Sequence, residues 1–401
     1  MKEIRHSWKQ LASVQLGGVI CLPIFFVGYM LAKNYGLTSA ILAIIIGNLI
    51  LLLMACTVVF FSAEHRKSTA QYAVDLFGSK GKCLFTGIIV LSMIAWFAIQ
   101  LNILALSLQS LLKNSLFSSN LLIGLLITLV GTKGVRALTM LASISMPVLI
   151  FTIGYAIFQV SDSNIIVSND TVVFSGISMI IATAIAAIID LPTFFRTTKG
   201  KKDSIIAVCI LFGIALPLIE GVGVYLFMHN QGENFVEILM GASSSHMWKG
   251  WIALFLLLAG WTTNSANLYS ASVSFEVIAS KLSMPLRVIF IGITGTLISC
   301  FNILDNMAIV LDGMGIILGS IGAIMIIHFI SKGAVNRNMN FIALALGIIG
   351  GIFSVMGYSI TGIHVLDSFL FALIFAAGNC FYKKIRFFHR KNIIARNRDE
   401  V

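Results

Sequence analysis

Apolar residues in this chain come in long runs rather than in alternation. Twelve such runs lie near 11–33, 37–61, 84–112, 119–132, 136–159, 174–196, 205–229, 250–279, 286–303, 306–330, 341–358 and 361–382. Most reach the roughly 17–25 residues that a helix needs to cross a hydrocarbon core of about 30 Å. No water is available there to pair backbone N–H and C=O groups, so each run predicts a helix that satisfies its own backbone. The period-two alternation of a membrane β-barrel is absent. The pattern predicts an all-α integral membrane protein of 12 transmembrane helices, with residues 1–401 forming a single membrane domain. The fourth run is the shortest.

Composition agrees with the pattern. Hydrophobic residues make up 58% of the chain and charged ones 11%, against about 45–50% and about 25% in ordinary soluble domains. The net charge of +11 acquires its meaning from where the charges sit. Lys2, Arg5 and Lys9 precede the first span. Arg66, Lys67, Lys80, Lys82, Lys133, Arg136, Arg196, Lys199, Lys201, Lys202, Lys281, Arg287, Lys332 and Arg337 occupy the even-numbered connections. Seven more lie in the tail 383–401. Of the 27 Lys and Arg residues, 24 thus fall on one side, and Lys33, Lys113 and Lys249 on the other. Basic loops stay cytoplasmic. The expectation is a multi-pass protein of the plasma (inner) membrane with both termini cytoplasmic, its basic tail setting topology rather than binding nucleic acid. The first run is too long for a cleavable signal peptide and leads straight into another span. Cys21, Cys56, Cys83, Cys209, Cys300 and Cys380 show no disulfide or metal-ligand spacing.

The runs also repeat. The second begins near 37 and the seventh near 205, and Pro23 and Pro192, two of only five prolines, lie 169 residues apart. Five spans is an odd number, so the second set must cross the membrane in the opposite direction. This predicts inverted repeats over 11–160 and 174–330, with spans one and six both interrupted at proline and two additional helices over 341–382. Proline removes a backbone donor and clashes with the preceding turn, and Gly17, Gly18 and Gly28 loosen span one further. Matched broken helices are the sequence pointer to a transporter's central site. Simple kinks are the alternative.

Candidate chemistry is sparse. Span eight carries Gly260-Trp261-Thr262-Thr263-Asn264-Ser265-Ala266-Asn267-Leu268-Tyr269-Ser270, whose hydroxyls and amides must find partners inside the protein. Thr262 and Thr263 offer neutral oxygens to a hard cation or, equally, hydrogen bonds between helices. In span three, Trp96 and Gln100 are one turn apart on one face, suiting a planar heterocycle or plain packing. Asp190, Glu220, Asp305 and Asp312 are acids in or near spans; Asp190 and Asp305 read as interface residues. No nucleotide-binding loop, zinc-protease motif or nucleophile elbow occurs, and no segment is long enough for a nucleotide-hydrolysing domain. An enzyme is therefore not expected, and the energy source of a transporter would be an ion gradient.

The stretch GWTTNSANLYSASVSF resembles the eighth-span motif of the nucleobase–cation symporter family, in particular its cytosine permeases. Leu16-Gly17, Ile46-Gly47-Asn48-Leu49, Trp96-Phe97 and FFRTTKGKKD add to the resemblance, which covers roughly the first 300 residues. It implies the five-plus-five inverted repeat of the amino-acid/sodium symporter-like fold with two extra C-terminal helices. It also implies a sodium site between spans one and eight, built from backbone carbonyls of Gly17, Ile20 and Ala259 and the hydroxyls of Thr262 and Thr263. The substrate would stack on Trp96, with Gln100 a hydrogen-bond partner and Cys21, Ala186 and Asn264 around it. The chain departs from the family at Met93, where some members have Gln, and in Thr183-Ala184-Ile185-Ala186-Ala187, where an aromatic or serine wall would stand. One wall of the stacking sandwich is missing there or supplied elsewhere.

The expected function is import of a nucleobase (cytosine-like) or related small planar heterocycle, coupled to sodium by alternating access. No cofactor is implied beyond the coupling ion. The alternatives are a proton-coupled symporter for a vitamin-precursor heterocycle, using Glu220 or Asp190, a non-transporting nutrient sensor, a channel and a membrane-embedded enzyme.

Overall fold

A computed structural model describes residues 5–19, 21–133, 173–229, 239–240, 245–301, 303–331 and 336–380, with scattered positions between 145 and 158. The fifth expected span, 136–159, falls largely outside the described residues, as does the basic tail 383–401.

Among the described residues the chain is helical, and the hydropathy pattern explains why. Six helices are long and apolar enough to cross a membrane: Leu37–His65, Gly81–Leu106, Phe174–Phe195, Lys201–His229, Ile303–Ile330 and Arg337–Val355. Leu116–Gly131, Met284–Ser299 and His364–Cys380 are shorter apolar helices. The helix over 37–65 shows how such a chain meets lipid. Ile41, Ile45, Leu49 and Leu53, spaced one turn apart, are 44%, 58%, 54% and 63% exposed, while Ala40, Ala43, Leu51 and Ala55 are buried. Large side chains face outward and small ones inward, the arrangement expected where the surrounding solvent is hydrocarbon.

Span one is broken as expected. Helix α1 (Trp8–Val19) ends and α2 (Leu22–Tyr35) begins after the extended residue Cys21, with Pro23 in the first turn of α2. Proline there lacks only an N–H that the helix start could not pair anyway. Gly28 has a different role from the expected loosening. A Cβ on Gly28 would lie 1.9 Å from the Glu220 carbonyl oxygen, and one on Gly223 would lie 2.1 Å from that of Phe25. The two glycines let α2 and the helix carrying Glu220 touch backbone to backbone.

Span six departs from expectation. Val173–Phe195 is one continuous helix with Pro192 inside it. Pro192 sits in the last turn, so it costs one hydrogen bond near an end that was about to stop, and no break results. The matched prolines therefore do not make matched interruptions. Span three also starts earlier than the hydropathy suggests. Within Thr69–Leu112 two helices meet at a kink at Gly78, whose φ of 72° is a positive value that glycine tolerates without strain. The part before Gly78 carries Asp75, paired with Lys67 at 2.6 Å.

Span seven holds an irregularity not foreseen. After Lys201–Ile210, residues Leu211–Ala215 widen into a π-helical turn before Leu216–His229. Pro217 supplies the cause, because it cannot donate to the carbonyl of Gly213 one turn back.

The helix pairings place the centre of the molecule. Span two packs along span six and α2 along span seven, while span eight lies against span three. The broken span one thus meets the helices of both halves.

Candidate substrate and ion site

The break in span one opens onto a small cavity of about 120 Å³. Gln15 and Cys21 flank the break. Cys21 caps α2 without a side-chain hydrogen bond, so the free N–H groups of α2 and the last carbonyls of α1 meet at this point with opposite partial charges. Span three contributes Met93 and Trp96. The continuous span six lends a stripe at helical spacing, Thr183, Ala186, Ala187, Asp190 and Phe194. Span eight adds Thr263, Asn267 and Ser270, and the π-helical turn adds Phe212.

Several expected residues meet here. Trp96, Cys21 and Ala186 line the cavity. Gln100 is fully buried, does not line it, and neither its Oε1 nor its Nε2 has a hydrogen-bond partner. Asn264 is buried behind the wall and its Oδ1 accepts from Asn267 Nδ2 at 3.4 Å, so Asn267 rather than Asn264 faces the cavity. Of the expected ion ligands, Thr263 lines the cavity and Thr262 does not. The hydroxyls of Thr262 and Thr263 each donate to the Ala259 carbonyl at 3.0 Å. Gly17 lies near the end of α1. Ile20 falls outside the described residues.

Other functional candidates were not read from the sequence. Two further aromatic side chains, Phe194 at the end of span six and Phe212, line the cavity. Pro217 in the middle of an apolar run was the available signal for the latter. Asp190, read from the sequence both as a residue near an interface and as an alternative proton-coupling acid, is 2% exposed and part of the wall. Its Oδ1 accepts from Thr193 at 2.7 Å and its Oδ2 from the Ser270 hydroxyl. Thr69 stands 3.0 Å behind Thr193. Asp305 is exposed in a 3₁₀ turn, and Asp312 is half-buried away from the cavity.

Glu220 is 0% exposed and accepts from Asn48 Nδ2 at 2.5 Å. Its Oε1 has no hydrogen-bond partner, nor has Asn48 Oδ1. It belongs to the junction of spans two and seven, outside the cavity wall.

Comparison with known proteins places this geometry. No protein-family model matches the chain. The cytosine permease of Escherichia coli (strain K12) is 24% identical over 300 residues, which is 71% of this chain and 69% of the permease. Mhp1, a nucleobase-cation-symport-1 family transporter solved in a closed conformation with bromovinylhydantoin bound, superposes with a TM-score of 0.78 at 18% identity, over 94% of this chain and 93% of that one. A Na⁺-coupled sialic acid symporter in a substrate-bound outward-open state gives a TM-score of 0.74 at 16% identity, covering 94% and 90%. These relatives are transporters and not enzymes. The chain has the fold of these symporters and, in sequence as well as in fold, it resembles the nucleobase–cation symporter family.

Proposed function

We propose that this protein is a secondary transporter that imports a nucleobase or related planar heterocycle, driven by sodium and working by alternating access. The observation that carries this reading is the cavity at the break in span one, walled by Trp96 and bordered by Thr263. An indole face and the rings of Phe194 and Phe212 suit a flat ligand. Oxygen ligands in the manner of hard cations would come from Thr262, Thr263, Ala259 and the backbone carbonyls of Gly17 and Ile20. Sodium between spans one and eight would favour one arrangement of the helices only if it binds that arrangement more tightly. Its inward movement contributes about 2.3 kcal/mol per 100 mV of membrane potential.

The helix pairings support five-plus-five inverted repeats. Exchanging span one with six and two with seven turns the pairing of one with seven into that of six with two, and both pairings are present. The reading includes twelve spans, two of them added at the C-terminal end, both termini cytoplasmic and a place in the plasma membrane.

A thermal-shift screen of the purified full chain against nucleobases and vitamin-like heterocycles, with and without sodium, tests the proposal. Stabilisation by a heterocycle that sodium deepens is the expected result. Heterocycle binding indifferent to sodium removes the coupling, and no heterocycle binding removes the substrate class.

A second reading, proton coupling, is favoured by Glu220. A buried carboxyl with one amide partner and, among the described residues, no cation in hydrogen-bonding or ion-pair contact is far less costly when protonated. Uptake that collapses with the proton gradient and persists without sodium would decide for it.

A further inference from the structure

Two of the six cysteines meet in the fold although 153 positions separate them in the chain. Span two packs antiparallel along Lys201–Ile210 of span seven, and two contacts fix the register. At one end Lys201 pairs with Glu64 at 2.8 Å and lies over the Phe60 ring at 3.9 Å. Twelve residues further along span seven, a Cβ on Gly213 would lie 3.6 Å from Cδ2 of Leu52, which is twelve residues back along span two. Cys209 and Cys56 lie between these levels, each eight residues from the ion pair. The register therefore sets them opposite each other, and their thiols interact across the seam.

Both cysteines are half-buried. Ala55 and Val208 beside them face inward and are buried, whereas Leu53 and Ile214 face outward at 63% and 56% exposure. The two thiols thus sit at the lipid-facing edge of the seam. Eight residues of helix place them about 12 Å from the Glu64–Lys201 pair, at a depth where a net charge is costly. Among the described residues no group of three or more His, Cys, Asp and Glu side chains could hold a metal. The pair is complete with two sulfurs.

We infer that Cys56 and Cys209 form a two-thiol site for a soft divalent cation of the mercury(II) type, bound as an uncharged bis-thiolate bridging spans two and seven. Thiolate sulfur selects soft cations, and a coordinating thiol is deprotonated outright. On binding, two S–H bonds give way to two sulfur–metal bonds, two protons leave to solvent, and nothing is oxidised or reduced. A divalent ion with two thiolates carries no net charge, which suits this depth. A monovalent soft ion such as copper(I) would leave one negative charge in lipid, and zinc lacks the four ligands its sites use. The site is separate from the cavity and does not depend on the heterocycle reading. Its bridge would fasten the seam that also carries Asn48 and Glu220.

The test loads the purified full chain with mercury(II) chloride, washes it with an excess of a monothiol, and measures the metal retained per chain by mass spectrometry. Two fixed thiols outcompete a free monothiol through their effective concentration, by about 10²–10⁴-fold. Wild-type protein should retain one ion, and Cys56→Ala and Cys209→Ala should each need at least a hundredfold less monothiol to lose it. In the loaded wild type, alkylation mapping should find Cys56 and Cys209 protected together, a readout that needs no variant to fold. Retention unchanged in either variant places the ion elsewhere and overturns the inference. Loss of all metal from the wild type in the wash, protection of only one of the two thiols, or equal retention of zinc(II) or copper(I) overturns it as well.

Discussion

The side-chain amide of Asn48 donates to the carboxyl of Glu220 at 2.5 Å, joining two residues 172 positions apart in the chain and buried to 2% and 0% exposure. The pair ties span two to span seven beside the point where Gly28 and Gly223 bring α2 against the same helix. Glu220→Gln keeps a hydrogen-bonding group of the same shape, whereas Glu220→Ala strands the Asn48 donor at a cost of about 1–3 kcal/mol. The alanine variant should melt earlier than the glutamine variant. Sodium-driven uptake should survive in the glutamine variant. Its loss together with the response to an imposed proton gradient would transfer the coupling role to Glu220.

Backbone contact between α2 and span seven predicts that side chains cannot be added there. Gly223→Ala or Gly28→Ala would place a methyl about 2 Å from a carbonyl oxygen, and overpacking of this kind costs typically about 1–3 kcal/mol or more. Detergent-solubilised Gly223→Ala should lose thermal stability by several degrees. A control at Gly221, where an added Cβ meets nothing, should stay close to the wild type.

Thr263→Ala removes a cavity-lining hydroxyl but little volume, and its Ala259 partner keeps the hydroxyl of Thr262. The protein should fold normally and lose its sodium-dependent stabilisation. Persistence of the sodium effect, read by thermal shift over a sodium titration, would move the ion elsewhere.

Trp96→Ala should weaken heterocycle binding by tenfold or more, since an aromatic stacking partner contributes about 0.5–1.5 kcal/mol beyond the area it buries. Phe194→Ala and Phe212→Ala should each produce a smaller loss if those rings form the opposing wall. Equilibrium binding to the three variants gives the ranking, and unaltered affinity in all three would place the ligand outside this cavity.

The loop after Arg337–Val355 is held by a single side chain. Asp367 accepts from the hydroxyls of Ser354, Ser359 and Thr361 and from the backbone N–H of Ile360 and Thr361. Asp367→Ala would leave these donors unpaired and should destabilise the last two helices by about 3 kcal/mol. Limited proteolysis at 356–363 should accelerate accordingly, with heterocycle affinity unchanged, because none of these residues touches the cavity.

Hydropathy alone determined that this chain lives in lipid as helices, because the bilayer imposes a local rule: every backbone group must be paired within its own segment. The interruption at Cys21–Pro23 and the polar face of span eight were legible for the same reason, since both violate that rule within a few residues. Tertiary structure decided what depends on position across helices. Pro23 accompanies a break and Pro192 does not, although both are prolines in apolar runs, because one opens a helix and the other sits in a final turn. Gly28 serves a backbone contact with Glu220 that no neighbour in sequence reveals. The ring wall at Phe194 and Phe212 and the carboxyl of Asp190 come together only through the π-helical turn and the register of span six against span eight. Helical register against distant partners is a non-local quantity, and the cavity's chemistry follows from it.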